Sequence, residues 1–575
     1  MLGVFALILL ASRSYWQQPE IPRIAQWPIG LIAIVLLQLA VNKIEYVDQG
    51  LLYILYLLFA ALLMLLGARL RTCFGMEKLA IVLAVFLLIG AEISALFGVL
   101  QYYSWHTPLS AVIVMKTSAA VFGNLAQPNH YANYIALGLI SLGLLFQQHK
   151  LRAVYVILLA APLLFVMTLS GSRSSWLYML MMSGLAWWWS RRNVLQRPLL
   201  NYSLLLMAGF VLMHLIVKLP FMSVSGTVSG GVSNAVSSGV SIAVSSSVSN
   251  AVSGGASNVT AMQRLFADDA SGSVRLYIWH EAALMFAESP WLGVGFGQFA
   301  WHHFQMLPIL HPNYINGLYN NAHNLIFQLA AEAGLAGLLV LFVSLGVWLY
   351  GMRRATLDAA HWWGYAALGV LAIHSLLEYP LWYTYFVAVA AILLGALDET
   401  RYRLELRSVG RMSVVAILLL GFMTLVQLRS GYRQLKDTLV ISPVSGNIVD
   451  AFERTREGLI EVHGGSLLSP YAEMFMSAFA EVNADHLNEK IALNTKVMHF
   501  VPTGAVVYRQ AFFLAQNGQL EQAKQVIEQA IWSYPQDDEV HKHLVSMAEK
   551  DPVHFSALLE FALQKEKEHT LAVHQ

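Results

Sequence analysis

The residue best placed to do chemistry is His323, held between amides in Asn320-Asn321-Ala322-His323-Asn324. It lies where a polar loop turns into an apolar run that continues to about Tyr350. Imidazole titrates near neutral pH (about 6.5), so at a bilayer mouth it can take a proton from a hydroxyl. The plainer reading is a packed or helix-capping histidine. Two arginines stand in similar settings: Arg173 in Leu169-Ser170-Gly171-Ser172-Arg173-Ser174, and Arg275 in Ser273-Val274-Arg275-Leu276-Tyr277-Ile278-Trp279-His280. A guanidinium can hold phosphate oxygens bidentately, although Arg173 also suits a snorkelling arginine at a helix end. On a helix Trp279 falls on the same side as Arg275. Further polar groups come from Gly123-Asn124-Leu125-Ala126-Gln127-Pro128-Asn129-His130 and from His374-Ser375-Leu376-Leu377-Glu378-Tyr379-Pro380. Two cations, a base and several hydrogen-bonding groups suit a lipid-linked pyrophosphate donor and a hydroxyl acceptor. The sequence has no HExxH, paired-aspartate metal motif, P-loop or Gly-x-Ser-x-Gly pattern. The arginines are therefore expected to do at the pyrophosphate what a metal does elsewhere, with no metal ligand and no cofactor assigned. Pro290-Trp291-Leu292-Gly293-Val294-Gly295-Phe296-Gly297 has the glycine rhythm of a nucleotide loop, but no strand precedes it. Close backbone packing accounts for these glycines better.

Apolar helices must carry these groups. The chain has 575 residues, 57% hydrophobic and 12% charged, against roughly 25% charged in a typical soluble domain. Mean hydropathy is +0.57. These values imply a polytopic, all-α membrane protein. The near-neutral balance, +1, excludes a general nucleic-acid or polyanion binder. The single cysteine, Cys73, excludes an intramolecular disulfide framework. Runs of apolar residues place about 12 spans, near 1–12, 28–42, 50–69, 79–100, 131–147, 152–170, 174–190, 201–219, 322–350, 362–375, 381–397 and 412–429. Met1–Ala11 lacks a basic n-region and reads as a first span rather than a cleavable signal. Basic residues cluster on alternate connections: Arg69/Arg71/Lys78, Lys150/Arg152, Arg191/Arg192/Arg197, Arg353/Arg354 and Arg401/Arg403/Arg407/Arg411. The positive-inside rule assigns these to the cytoplasm. His323, Arg173, Arg275, Gln127 and Glu378 then fall on the opposite, periplasmic side.

The expected organisation is an N-terminal bundle over 1–219, a large periplasmic loop over 220–321, a second bundle over 322–430 and a periplasmic helical domain over 431–575. Within the loop, 222–258 is a low-complexity Ser/Val/Gly/Asn insertion, too poor in large apolar groups to offset the entropy of ordering. A helix carrying Arg275, Trp279 and His280 is expected over about 261–287. In the tail, Tyr508-Arg509-Gln510-Ala511, Asn517-Gly518-Gln519-Leu520-Glu521-Gln522-Ala523, Ala530 and Tyr534-Pro535 look like one tetratricopeptide unit. One such unit needs neighbouring helices to bury its face, and it serves either as a docking surface or as a plain cap.

These motifs resemble bacterial O-oligosaccharyltransferases of the PglL type, within the superfamily of O-antigen ligases and Wzy polymerases. Arg275…Trp279, the Pro290–Gly297 run, Ala322-His323-Asn324 and Glu332-x-Gly334-x-x-Gly337 look like the superfamily's ligase signature. Gly123–His130, Leu377-Glu378-Tyr379-Pro380-Leu381-Trp382 and the tail favour the protein-glycosylating branch. The likeness spans most of 100–400; the 222–258 insertion departs from it. It implies His323 as the essential histidine, Gln127 and Tyr379 as catalytic polar groups, and Arg173 and Arg275 on the donor's pyrophosphate. Asn324, His130 and Glu378 are expected in support. The implied reaction is metal-independent en bloc transfer of a preassembled glycan from undecaprenyl pyrophosphate to Ser or Thr of a periplasmic protein such as a pilin. Such an enzyme would sit in the bacterial inner membrane, its partners being the bilayer, the lipid-linked donor and the acceptor protein, with no nucleic acid. An O-antigen ligase or polymerase would share the chemistry. A transporter would instead need ionisable residues at mid-span depth.

Overall fold

The computed structural model describes residues 15–17, 19–116, 120–219, 270–310, 317–439, 448–535 and 538–573. The expected span at 1–12 and the 222–258 insertion lie outside them. The architecture is helical. In chain order the helices are α1 (Gln26–Ala40), α2 (Val47–Phe74), α3 (Met76–Tyr102), α4 (Pro128–Gln147), α5 (Ala153–Leu169), α6 (Ser174–Arg192), α7 (Arg197–Ile216), α8 (Ala270–Glu288), α9 (Phe299–Leu310), α10 (Leu325–Gly351), α11 (Ala359–Ser375), α12 (Thr384–Leu397) and α13 (Ser408–Leu439). The tail adds α14 (Ile448–Gly465), α15 (Ser469–Phe479), α16 (Leu487–Phe500), α17 (Gly504–Gln516), α18 (Leu520–Ser533), α19 (Asp538–Lys550) and α20 (Pro552–Val573). A helix stands at each expected span that falls on described residues. Among the described residues six apolar helices are long enough to cross a membrane by length and composition, α2, α3 and α13 being three of them, while α5 and α12 are shorter apolar helices. The chain is a multi-pass membrane protein.

One large apolar core joins α2 to α7 with α11 and α12, and includes Tyr131, Trp189, Trp362, Trp363 and Phe386. A second cluster joins α1 to α10 through Leu31, Ile34, Leu329 and Leu341. Between α2 and α12 the backbones approach so closely that a Cβ on Gly67 would strike the carbonyl of Ile392, and one on Gly395 that of Met64. Small residues at such crossings let helices pack where water supplies no hydrophobic drive. A short antiparallel pair, β1 (Glu20–Pro22) with β2 (Arg401–Arg403), aligns Ile21 with Tyr402 and ties the two ends of the membrane region together. The apolar window of α13 has no buried residue, as suits a helix facing lipid. The helix runs past residue 430, and its last turns place Leu435 and Leu439 against Leu459, Val462 and Ala472 of the tail. The span and the tail domain are thus one continuous helix at their junction.

Candidate active site

His323 stands one residue before the cap of α10. Asn324 caps that helix: its Oδ1 accepts from the N–H groups of Ile326 (2.9 Å) and Phe327 (3.2 Å). Its Nδ2 donates to the carbonyl of Leu376, 2.9 Å away, in the loop after α11. One amide therefore fixes both the start of α10 and the segment that carries Glu378. His323 adopts a left-handed backbone, φ 49°, a conformation that costs an L-residue on the order of 1–3 kcal/mol. Side chains hold the bend: Asn321 Oδ1 accepts from His323 N–H (3.1 Å) and Gln328 Oε1 from Ala322 N–H (2.6 Å). From α8, Trp279 Nε1 donates to the Ala322 carbonyl at 2.9 Å and its ring stacks on Phe327.

Glu378 is the hub. It is 3% exposed and accepts from three donors drawn from separate parts of the chain. His323 Nδ1 lies 2.9 Å from Oε2, and Arg275 Nη2 and Asn129 Nδ2 each lie 2.7 Å from Oε1. Burial pushes the carboxyl's pKa up, but His323 and then Arg275 outweigh burial and hold it far below the usual carboxylate range. Glu378 is therefore an anion and only accepts. It follows that His323 carries a proton on Nδ1, so that in the neutral ring Nε2 is the lone-pair nitrogen. A carboxylate behind the ring also stabilises the imidazolium that forms when Nε2 takes a proton.

Behind this pair lies a buried polar chain. His130 Nδ1 and His374 Nε2 are 2.7 Å apart, and His374 Nδ1 is 3.0 Å from the Tyr178 hydroxyl. The Tyr379 ring meets His323 and His130 edge to face, at centroid distances of 5.1 and 5.5 Å. Tyr379 therefore walls the space beside the base. Gln127 caps α4, its Oε1 accepting from the His130 N–H at 2.7 Å. That uses its carbonyl structurally and leaves its amide group for other partners. Arg173 precedes α6 by one residue, little more than a turn from Tyr178. The structure thus joins His323, Glu378, Arg275, Tyr379, His130 and Asn324 directly. Gln127 sits in a neighbouring cap, and Arg173 stands before α6, the helix that carries Tyr178. Sequence reasoning misses Asn129 and Tyr178. Asn129 lies two residues from Gln127, and its amide is the available signal; Tyr178 sits in an apolar run with no signal at all.

The glycine-rich segment supports α10 from outside. The helix breaks at Gly334 (φ 60°), where a Cβ would lie 2.6 Å from Gly293 N. The backbone groups freed by the break pair with the loop before α9: Val294 N–H donates to the Ala331 carbonyl (2.9 Å), and Leu335 N–H to that of Pro290 (2.7 Å). Gln38 of α1 spans both, donating to the carbonyls of Leu292 and Glu332 at 2.7 Å each. α8 is fastened to α9 by a fully buried Glu281–His303 pair at 2.7 Å. The tail docks at this same end. Phe304 of α9 enters its core, and Tyr46 donates to Glu473 at 2.5 Å, with Lys496 3.0 Å from the same carboxylate. Among the described residues, no group of three or more His, Cys, Asp and Glu side chains is arranged to hold a metal ion.

Comparison with known families matches residues 158–342 to a family described as O-antigen ligase, 121–146 to one described as protein glycosylation ligase, and 362–548 to the C-terminal region of a virulence-factor membrane-bound polymerase. These matches make the chain similar to the O-antigen ligase superfamily. Within it the likeness is to the PglL-type O-oligosaccharyltransferases. A general O-oligosaccharyltransferase of Acinetobacter baylyi is 26% identical over 439 residues, 75% of this chain and 71% of that protein. A ComP-specific O-oligosaccharyltransferase of the same organism is 22% identical over 391 residues, 68% of this chain and 64% of that protein. The second alignment spans just under two thirds of its relative. The O-antigen ligase match contains Arg173, Arg275 and His323, and the glycosylation-ligase match contains Gln127, Asn129 and His130.

Proposed function

We propose that the protein is an O-linked oligosaccharyltransferase that moves a preassembled glycan en bloc from undecaprenyl pyrophosphate to a serine or threonine hydroxyl of a periplasmic protein. The observation that carries this reading is the His323–Glu378–Arg275 cluster: an imidazole held through Nδ1 by a buried carboxylate, with a guanidinium on the same carboxylate. The acceptor hydroxyl gives its proton to His323 Nε2 while its oxygen attacks the anomeric carbon. The bond from that carbon to the pyrophosphate oxygen breaks, and the leaving diphosphate keeps the electron pair. Direct displacement inverts the anomeric centre. Arg275 is 30% exposed in its side chain and spends one terminal nitrogen on Glu378, so it retains donors for the developing phosphate charge. Arg173 assists from α6, and Gln127 and Tyr379 position sugar or acceptor. The basic connections lie at the other ends of these helices, which supports a periplasm-facing site in an inner-membrane protein. The tail, docked on α9 beside α8, is suited to present a pilin-like acceptor.

Mass spectrometry of periplasmic proteins from a deletion strain tests the acceptor. The expected result is loss of glycan from protein with lipopolysaccharide intact. Truncated lipopolysaccharide with protein glycans unchanged would instead assign the chain to saccharide ligation, as the O-antigen ligase and polymerase matches allow.

A further inference from the structure

At the opposite end of the same helices is a second polar site that the transfer chemistry does not use. His323 precedes α10 and Glu378 precedes α12, whereas Arg354 follows α10, Glu399 follows α12 and Arg71 ends α2. The 27 residues of α10 rise about 40 Å at 1.5 Å per residue, so the two sites are separated by a bilayer's thickness. β1, β2 and these helix ends enclose a cleft of about 550 Å³ lined by Arg23, Arg71, Arg354, Arg401 and Arg403, with Glu20, Asp398 and Glu399 among the acids. Five guanidiniums against three carboxylates leave a formal surplus of two positive charges.

The acids are already engaged. Glu20 takes Arg401 at 2.8 Å and Arg403 at 3.4 Å, and Glu399 takes Arg71 at 2.7 Å. Asp398 accepts from the backbone N–H groups of Ile24 and Thr400, both at 2.8 Å. Among the described residues Arg23 has no carboxylate partner: its guanidinium lies over the Tyr402 ring at 5.0 Å, and its buried Nε has no hydrogen-bond partner there. Arg354 is exposed and makes no ion pair among the described residues. A buried N–H left unpaired is costly. A cytoplasmic excess of arginine would account for charge at this end, but not for a guanidinium at the cleft whose Nε has no hydrogen-bond partner among the described residues.

We infer that this cleft binds a phosphate-bearing anion, with Arg23 and Arg354 supplying the uncommitted donors and the Glu20- and Glu399-held arginines forming its walls. A phosphate presents several acceptor oxygens to guanidinium forks. The volume suits a phosphate with a small headgroup. Two sources offer this chemistry at a membrane face, an anionic phospholipid and soluble phosphate.

Thermal unfolding of the purified full-length chain in detergent distinguishes them. The chain is titrated at constant ionic strength with inorganic phosphate, with dihexanoyl phosphatidylglycerol, and with zwitterionic dihexanoyl phosphatidylcholine as the control lipid. A saturable rise in Tm larger than the zwitterionic lipid produces is expected. A rise with inorganic phosphate identifies a soluble ligand; a rise with phosphatidylglycerol alone identifies a lipid headgroup. In Arg23→Gln/Arg354→Gln the half-saturating concentration should increase about tenfold or more, the loss of roughly one charge-assisted contact. Arg354→Gln alone removes an exposed side chain and should raise it severalfold, which keeps the test open if the double variant folds poorly. Arg275→Gln should leave the response in place, separating this cleft from the transfer site. A Tm no higher than with phosphatidylcholine, a rise unchanged by the Arg354 variants, or a rise abolished by Arg275→Gln overturns the inference.

Discussion

Replacing Glu378 by glutamine changes one atom and inverts the logic of the site. Oε1 receives Arg275 and Asn129, and Oε2 receives His323. A glutamine that keeps its carbonyl toward Arg275 and Asn129 preserves two of these bonds and turns its NH2 to His323. The reverse orientation loses both and sets an NH2 against a guanidinium, so the first is favoured. His323 Nδ1 must then accept, which moves the ring proton to Nε2 and removes the base. General-base catalysis and correct tautomer placement together are worth on the order of 10³-fold in rate, or about 4 kcal/mol of barrier. Stability should fall less, by roughly 1–3 kcal/mol, because a charge-assisted bond to Arg275 becomes a neutral one. The assay is single-turnover transfer from a lipid-linked donor to an acceptor protein, with Tm recorded on the same preparations. Glu378→Gln within tenfold of wild-type rate, while folded, would refute the assigned role of the carboxylate.

Asn324→Ala removes a helix cap and the tie to Leu376; about 1 kcal/mol of stability and a larger share of the transfer rate should be lost, as read by Tm and kcat. Gly334→Ala places a Cβ at φ 60° against the backbone of Gly293, so destabilisation of roughly 2–4 kcal/mol is expected, visible as a lowered Tm or loss of monodisperse protein. Glu378 gives a signed pH dependence. Its folded pKa lies below the unfolded value, so its contribution is fully present above about pH 4.5 and is lost as pH falls through the folded value. The Tm difference between wild type and Glu378→Gln should accordingly persist from pH 8 to about 5; a difference that closes as pH falls through that window contradicts the ion pair with Arg275. Tyr46→Phe removes the hydroxyl bonded to Glu473 and should speed limited proteolysis between α13 and the tail, with transfer to an unfolded acceptor peptide less affected than transfer to a folded protein.

Much of this site is legible in the sequence because its chemistry is written in local runs. Arg275 and Trp279 share a helix face by spacing alone, and Asn324 beside a polar-to-apolar boundary announces a cap. Charge on alternate connections separates the two ends of the bundle. What stays hidden depends on pairings across hundreds of residues. Asn129 meets Glu378 over 249 positions, and Tyr178 reaches His374 from within an apolar run. Gly293 and Gly334 are legible as small residues, but not as each other's partners across a broken helix. Gln127 illustrates a different limit: its type and place are evident, while its carbonyl turns out to cap α4. The cleft at the far end reads in sequence only as positive-inside charge, since neither β1–β2 pairing nor the orphaned Arg23 Nε has a sequence signature.

The central claim is that His323 Nε2 accepts the hydroxyl proton. Purified His323→Ala, confirmed folded by its Tm, tested in vitro with an undecaprenyl-pyrophosphate glycan and a pilin-like acceptor, measures it most directly. Loss of transfer by on the order of 10³-fold or more is expected, with donor binding retained through the arginines. Full transfer by the folded variant would contradict the account.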